Sequence, residues 1–123
     1  MSAADRQQVL ETVLGELAAN EAISLAVLAS DDGFVVEAVP ENELASVAAA
    51  IGASLHQLAD RLPEKRPVDE VSILFDDRQR LVCRALPGER ADMLLSVVVK
   101  SGGAYRRLTN RAMREICAAW MAG

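Results

Sequence analysis

The stretch ISLAVLASDDGFVVEAV, residues 23–39, contains the strongest short-range structural signal in this sequence. Residues 23–29 and 34–39 are apolar runs rich in amino acids that favour β-strands. Between the two runs, Asp32-Gly33 stands where a tight hairpin turn requires a backbone with positive φ. The stretch therefore predicts two adjacent antiparallel strands.

Helical periodicity flanks this hairpin on both sides. Downstream, Asn42 is the predicted N-cap of a helix that runs from Leu44 to Leu62 and ends before Pro63. Upstream, apolar residues recur at the spacing of a helix with one buried face, and Ser2 or Asp5 is its predicted cap. The upstream apolar residues are Val9, Leu10, Val13, Leu14 and Leu17.

The second half of the chain returns to strands and closes with a helix. Strands are predicted at residues 71–75, 81–86 and 93–99, and the last of them is apolar on both faces, which suits a central position. After Ser101-Gly102-Gly103, a final helix is predicted at residues 105–121. The order α-β-β-α-β-β-β-α with short turns predicts an α/β (α+β) three-layer sandwich, a five-stranded antiparallel sheet with helices on both faces.

Composition narrows the functional classes. The 123 residues, 51% of them hydrophobic and 25% charged, are expected to form a single domain over residues 1–123. A 3% aromatic content and a net charge of −5 argue against nucleic acid as a partner. No apolar run approaches the roughly 20 residues needed to span a bilayer, and the N-terminus has no signal-peptide core. Cys83 and Cys117 are expected to be reduced thiols in the cytoplasm.

The residues for common catalytic or cofactor chemistry are not grouped in this sequence. His56 is the only imidazole, and its place inside the second helix favours a packing or interface role. The carboxylate pairs Asp31-Asp32 and Asp76-Asp77 lie at predicted turns, where aspartates bind local backbone donors. The sequence has no closely spaced set of metal ligands, and it has no glycine-rich motif of the kind that binds phosphate. The sequence therefore predicts no enzyme, no metal and no cofactor.

Charge is distributed unevenly along the chain. Residues 1–60 hold ten acidic residues and one basic residue, a net charge of −9, whereas residues 61–123 hold eight and twelve, a net charge of +4. Cations in the first turn of a helix oppose its dipole, so an acidic group is expected near the last helix. That group is either the first helix, through Asp5, Glu11 and Glu16, or an acidic partner. The candidate partner-binding residues are Arg106, Arg107, Arg111 and Arg114.

The Gly102-Gly103 loop that precedes these arginines allows two interpretations. Backbone donors at the start of a helix attract anions. The simpler interpretation, which we favour, is a loop that lets the chain leave a buried strand and enter the helix.

The second helix carries two apolar stripes. The large stripe, expected to cover the sheet, consists of Leu44, Val47, Ile51, Leu55, Leu58 and Leu62. The small stripe consists of Ala45, Ala49, Gly52, His56 and Ala59. A glycine inside a helix costs about 1 kcal/mol relative to alanine, which is rationalised if another backbone approaches closely. We therefore predict a homodimer interface formed by the small stripe with Val71 and Ile73; the alternative is a solvent-exposed alanine-rich face.

With this order of elements, the sequence resembles the roadblock/dynein light chain family, including its bacterial members. The likeness is carried by the hairpin at residues 22–36, by the alanine-rich second helix and by Gly103-Ala104-Tyr105-Arg106-Arg107-Leu108 at the start of the last helix. It extends over nearly the whole chain. Where the family often has glycine around the first strand, this chain has Ala22 and Ala26.

The resemblance implies a non-catalytic homodimer that regulates or scaffolds a small Ras-like GTPase. Activation of the GTPase and scaffolding both stay open, as does a heterodimer with a related chain. A different functional class is a sensory or small-ligand-binding domain of profilin-like architecture. An enzyme using Asp31, Asp32 or the Gly102-Gly103 loop is the least favoured reading, because no assisting group accompanies them.

Overall fold

A computed structural model describes residues 2–64 and 66–121 of the chain. Five antiparallel strands form one sheet in the order β2-β1-β5-β4-β3. The elements are α1 (Ala3–Ala19), β1 (Ile23–Ser30), β2 (Val35–Val39), α2 (Glu43–Ala59), β3 (Glu70–Leu74), β4 (Arg80–Ala85), a 3₁₀ turn (Gly88–Arg90), β5 (Met93–Val99) and α3 (Arg106–Met121). The predicted order of elements is confirmed.

Both predicted N-caps are confirmed. The Ser2 hydroxyl accepts a hydrogen bond from the Asp5 backbone at 3.1 Å, and the Asp5 carboxylate in turn accepts one from the Ser2 backbone at 3.2 Å. Ser2 and Asp5 therefore act together as a capping box, rather than as alternatives. Asn42 caps α2 by accepting a hydrogen bond from the Ala45 backbone at 3.0 Å.

The hairpin turns where the sequence predicts it. Gly33 has φ of +93°, and the Ser30 N–H donates to the Phe34 carbonyl at 2.9 Å. β5 lies between β1 and β4 at the centre of the sheet, as predicted, and six of its seven residues are buried. The strands β2 and β3 are therefore the two edges of the sheet.

Helices cover both faces of the sheet. α1 and α3 pack on one face, which we call the α1/α3 face, and α2 packs on the other, the α2 face. On the α1/α3 face, the fully buried core includes Leu14, Leu28, Leu95 and Ile116. The predicted three-layer sandwich is confirmed. Among the described residues, no helix combines the length and the hydropathy needed to cross a membrane.

The second helix is shorter than predicted. α2 ends at Ala59, and the Arg61 and Leu62 amides then bond to carbonyls three residues earlier, at 3.1 Å each. The chain thus tightens into turns before Pro63, because a residue that precedes proline disfavours the helical conformation. Leu62 consequently lies beyond the helix.

Candidate interaction surface

The orientation of α2 reverses the prediction made from its two stripes. Ala45, Ala49, Gly52 and His56 are buried against the chain's own sheet, and Ala59 is half-buried. A Cβ on Gly52 would stand 2.7 Å from Cys83 Sγ and 2.9 Å from Ser96 Oγ. The groups that approach the glycine are therefore side chains of β4 and β5 in the same chain, and not the backbone of a second copy. The prediction that these four buried residues contact a second copy is wrong, because they lie between α2 and the sheet of their own chain.

His56 has a packing role within this layer. It is buried, and its Nε2 lies 3.1 Å from the Cys83 carbonyl oxygen, so α2 is tied to β4 at this point. Cys83 is buried beneath the same helix, and burial raises the pKa of its thiol to about 11. Both groups therefore lie between α2 and the sheet.

The large stripe, in contrast, faces outward. The exposed fractions of Leu44, Val47, Leu58 and Leu62 are 54%, 45%, 58% and 61%. Ile51 and Leu55 are half-buried. Small side chains bring α2 so close to the sheet that the bulkier residues cannot fit beneath it. Four large aliphatic side chains therefore remain in solvent, which soluble proteins normally avoid in contiguous groups.

This exposed stripe continues onto the edge strand β3. Ile51 and Ile73 pack against the same buried cluster on the α2 face, and Val71 packs beside Cys83 on that face. Val71 and Ile73 are each half-buried. We call the large stripe together with Val71 and Ile73 the α2–β3 surface. It places helix-borne and strand-borne apolar groups next to an unpaired sheet edge.

The backbone of β3 presents hydrogen-bonding groups at this edge. The Asp69 carbonyl accepts a hydrogen bond from the Ala85 N–H at 3.0 Å, so residue 69 faces β4. Backbone groups point to alternate sides along a strand. The N–H and carbonyl groups of Glu70, Ser72 and Leu74 consequently point away from β4, toward the free edge. Such an edge is a template for pairing with another strand.

The arginines of α3 divide into two groups. Arg106 contacts Glu70 at 2.8 Å and Asp69 at 3.2 Å, which supplies the acidic neighbour expected near the helix start. Hydrogen bonds to Glu70 and then Asp69 raise the pKa of Arg106 above its usual value. Arg111 pairs with Glu115 of its own helix at 3.1 Å. Arg107 and Arg114 are exposed.

The pairing of α3 with α1, one of the two alternatives for the acidic group, is not found among the described residues. Although both helices pack on the same face of the sheet, no ion pair joins Asp5, Glu11 or Glu16 to an α3 arginine within residues 2–64 and 66–121. The acidic group near α3 is instead the start of β3. Arg107 and Arg114 remain candidates for an acidic partner.

A buried arginine at the centre of this region has no counterpart in the sequence-based prediction. Arg84 of β4 is 4% exposed, and its guanidinium donates to the Asp69 carboxylate at 3.1 Å and to the Thr109 hydroxyl at 2.8 Å. It also donates to Asn110. A charged residue within the apolar strand LVCRA is the one signal that could have indicated such a network. Its partners lie 15 and 25 residues away and could not be inferred.

The remaining sequence candidates have structural roles. Gly102 has φ of +75°, the Gly103 N–H donates to the Lys100 carbonyl at 2.9 Å, and a Cβ at Gly103 would meet Ala22 at 2.9 Å. The loop thus supports the simpler of the two interpretations, a passage from strand to helix. Asp77 accepts a hydrogen bond from the Gln79 backbone at 2.9 Å, as expected of an aspartate at a turn.

Asp31 and Asp32 are exposed, although a cavity of about 350 Å³ near them also has His56 and Asp60 in its wall. Within the described part of the chain, no group of three or more His, Cys, Asp or Glu side chains is placed to hold a metal ion.

Comparison with known proteins identifies the fold. No protein-family model and no curated protein matches the sequence. Among solved structures, a Roadblock/LC7 domain from Streptomyces avermitilis superposes with a TM-score of 0.75 at 18% identity, over 91% of this chain and 95% of that one. Myxococcus xanthus MglB superposes with a TM-score of 0.78 at 14% identity, over 99% and 94% of the two chains.

A profilin solved with rabbit actin, LokiProfilin1, is a more distant match. Its TM-score is 0.58 at 10% identity, over 95% of each chain. The roadblock structures therefore share more of the spatial arrangement than the profilin does. The architecture, the strand order and these superpositions agree, and the chain has the roadblock/LC7 fold.

Proposed function

We propose that this chain is a non-catalytic homodimeric interaction module that regulates or scaffolds a small Ras-like GTPase. The observation that carries the proposal is the α2–β3 surface, where exposed aliphatic side chains adjoin an unpaired sheet edge. An isologous dimer would cover both features at once, because a two-fold axis brings each edge and each helix against its own copy. The proposal treats residues 1–123 as one domain that works in the cytoplasm.

The edge strand is self-complementary about its middle residue. If Ser72 lies opposite the same residue of the second copy, Glu70 lies opposite Leu74, and all three outward-facing residues of each β3 gain backbone partners. In that register, Val71 of one copy lies opposite Ile73 of the other on the α2 face. The two α2 helices then meet above the joined strands through their large stripes. Val71 and Ile73 thus retain their predicted interface role, whereas the large stripe replaces the small one.

Two features support a GTPase as the partner of this dimer. The resemblance to the roadblock family implies such a partner, and MglB of Myxococcus xanthus has the same fold. Arg107 and Arg114 supply exposed positive charge on α3, in the helical layer opposite α2. An acidic surface of a partner would match these charges. A related chain that replaces one copy, and the choice between activation and scaffolding, are separate questions for experiment.

The non-catalytic part of the proposal rests on where the candidate groups lie. His56 is buried and bonded to a backbone carbonyl, and the thiol of Cys83 is buried with a raised pKa. A profilin-like ligand-binding role has weaker support, because helices fill both faces of the sheet with fully buried side chains such as Leu28 and Leu95. Native mass spectrometry of the purified protein would detect a tightly held small molecule and so favour that alternative.

The dimer is tested with two matched substitutions. Leu58→Ser removes a leucine of the large stripe that is 58% exposed, whereas Phe34→Ser removes an aromatic that is 74% exposed beside β2, at the opposite edge of the sheet. Sedimentation equilibrium is expected to show a wild-type dimer, a dimer for Phe34→Ser and a shift to monomer for Leu58→Ser. Circular dichroism should be unchanged in all three. A monomeric wild type would contradict the proposal.

The GTPase role is tested with Ras-like GTPases from the same genome, each loaded with GDP or with a non-hydrolysable GTP analogue. Complex formation that depends on the nucleotide, measured by calorimetry, is the expected result. Replacing Arg107 and Arg114 by glutamate should weaken the complex while leaving the dimer intact. Absence of binding to every such GTPase in both nucleotide states would contradict the proposed partner.

A further inference from the structure

Beyond Glu70, the helices of the α1/α3 face leave β3 uncovered. Ser72 is exposed and Leu74 is 48% exposed on that face. One edge of β3 is also free, so the strand is supported mainly by β4 and by α2. A short edge strand with so little support is expected to be among the least stable parts of a fold.

One group of contacts at the start of β3 compensates for this weak support. The Glu70 carboxylate accepts a hydrogen bond from the Tyr105 hydroxyl at 2.8 Å through Oε2 and one from Arg106 at 2.8 Å through Oε1. Arg106 also donates to Asp69, the residue before the strand, at 3.2 Å. We call these contacts the α3–β3 clamp. It joins the beginning of α3 to the beginning of β3.

The clamp holds a residue whose backbone faces the free edge. The side chain of Glu70 points to α3, while its N–H and carbonyl groups point outward, like those of Ser72. Fixing the side chain therefore fixes the direction of the first outward-facing hydrogen-bonding pair. Asp69 is held a second time by Arg84, so the main chain entering the strand is anchored from both β4 and α3.

We propose that Tyr105 and Arg106 are positioning residues for dimerisation, which hold the edge of β3 in the conformation that pairs with a second copy. This inference rests on the proposed homodimer and adds the means by which its edge is ordered. Groups fixed before association lose less conformational entropy when they bind. Arg106 acts inside the chain, rather than as a contact to an acidic partner, and the partner-binding role is left to Arg107 and Arg114.

The size of the effect follows from the cost of ordering the main chain. Fixing one residue costs about as much free energy as a tenfold change in an equilibrium constant. A symmetric dimer contains two clamps. We therefore expect loss of the clamp to raise the dimer dissociation constant by roughly tenfold to a hundredfold.

The chain offers a close control for this test. Arg106→Ala removes both arginine contacts of the clamp, to Glu70 and to Asp69, whereas Arg107→Ala removes the same charge one position further along an exposed part of α3. The dissociation constant of each variant is measured by sedimentation at several concentrations. A rise for Arg106→Ala, partial recovery in Arg106→Lys and no change for Arg107→Ala would support the proposal. Tyr105→Phe, which removes only one hydroxyl, should show a smaller rise and guards against misfolding of the arginine variant.

Hydrogen exchange distinguishes positioning from a general loss of stability. In protein diluted to the monomer, Arg106→Ala should accelerate exchange at Val71 and Ile73, whose amides bond to β4, and leave the centre of β5 at the wild-type rate. Equal acceleration throughout the sheet would overturn the positioning role. So would equal dissociation constants for Arg106→Ala and Arg107→Ala in a protein whose wild type dimerises. A wild type that stays monomeric would instead remove the proposed dimer, and this inference with it.

Discussion

Gly52 lies directly above Cys83, so close that a Cβ on the glycine would stand 2.7 Å from the cysteine sulfur. This contact sets the distance between α2 and the sheet. Alanine normally stabilises a helix interior by about 1 kcal/mol relative to glycine, but overpacking a core costs about 1–3 kcal/mol. We expect Gly52→Ala to lower the free energy of unfolding, measured by urea denaturation.

Gly15 provides the control for that substitution. It also lies within a helix, but a Cβ there would meet nothing within 4 Å. Gly15→Ala should therefore raise the free energy of unfolding by about 0.5–1 kcal/mol. If both variants were stabilised alike, the close approach at Gly52 would not limit the packing of α2.

Substitutions of Arg84 test how much the buried ionic network contributes to the free energy of unfolding. Arg84→Ala leaves a cavity and removes every hydrogen bond from the guanidinium to Asp69, Thr109 and Asn110. We expect a loss of about 2–4 kcal/mol in the free energy of unfolding. Arg84→Met fills the space without burying a charge, and Asp69, whose side chain is half-exposed, can rehydrate. The methionine variant should lose less than half as much; equal losses would show that the charge itself is required.

Because the pKa of Asp69 is lowered, the contribution of the same network to the stability of the fold should depend on pH. Partial burial opposes ionisation of this carboxyl, but hydrogen bonds and charge from Arg84 and then from Arg106 outweigh it, so its pKa lies below the usual value. A carboxyl with a lowered pKa stabilises the fold above its unfolded pKa of about 3.9, and this stabilisation is lost as pH falls through the folded pKa.

Carbon-detected NMR titration should place the Asp69 midpoint below the value of about 3.9 that is usual for an aspartate. The free energy of unfolding in urea is measured for wild type and for Asp69→Asn. The difference between the two values should fall toward zero on acidification. A normal titration midpoint for Asp69 in the folded protein would contradict the network.

The two thiols should differ in reactivity. Burial raises the pKa of Cys83 to about 11, so about one molecule in a thousand carries the reactive thiolate at pH 8. Cys117 is half-buried, and burial raises its pKa as well. Native protein treated with iodoacetamide should acquire label at Cys117 first, and at Cys83 only after denaturation. Labelling of both at equal rates in the native state, measured by peptide mass spectrometry, would show that α2 opens readily.

Local signals were sufficient for most of the fold. A turn glycine with positive φ, a Ser2 cap and a strand apolar on both faces are each determined by nearby residues, and each is found as predicted. The rotation of α2 was not determined in this way, because apolar residues occupy more than half of its circumference. Size alone does not say which stripe faces the sheet. The close approach that Gly52 allows was inferred correctly, but the approaching groups are the Cys83 and Ser96 side chains of the same chain, and not the backbone of a second copy.

The contacts around β3 depend on residues far apart in the sequence. Glu70 and Arg106 are separated by 36 positions, and Arg84 meets α3 across 25. No periodicity links such pairs, so the contacts of Arg106 with Asp69 and Glu70 could be found only from the structure. Strand alternation was enough to place Val71 and Ile73 on one face of β3, and their interface role stays a prediction.

The side chains that hold α2 to its sheet and the side chains that it leaves outside occupy separate arcs of one helix. Substitutions on the outer arc therefore need not disturb the inner one. After duplication of the gene, two descendants could diverge in their choice of mate while keeping a common interior. A change of mate would thus require substitutions on one strip of a single element and none in the interior.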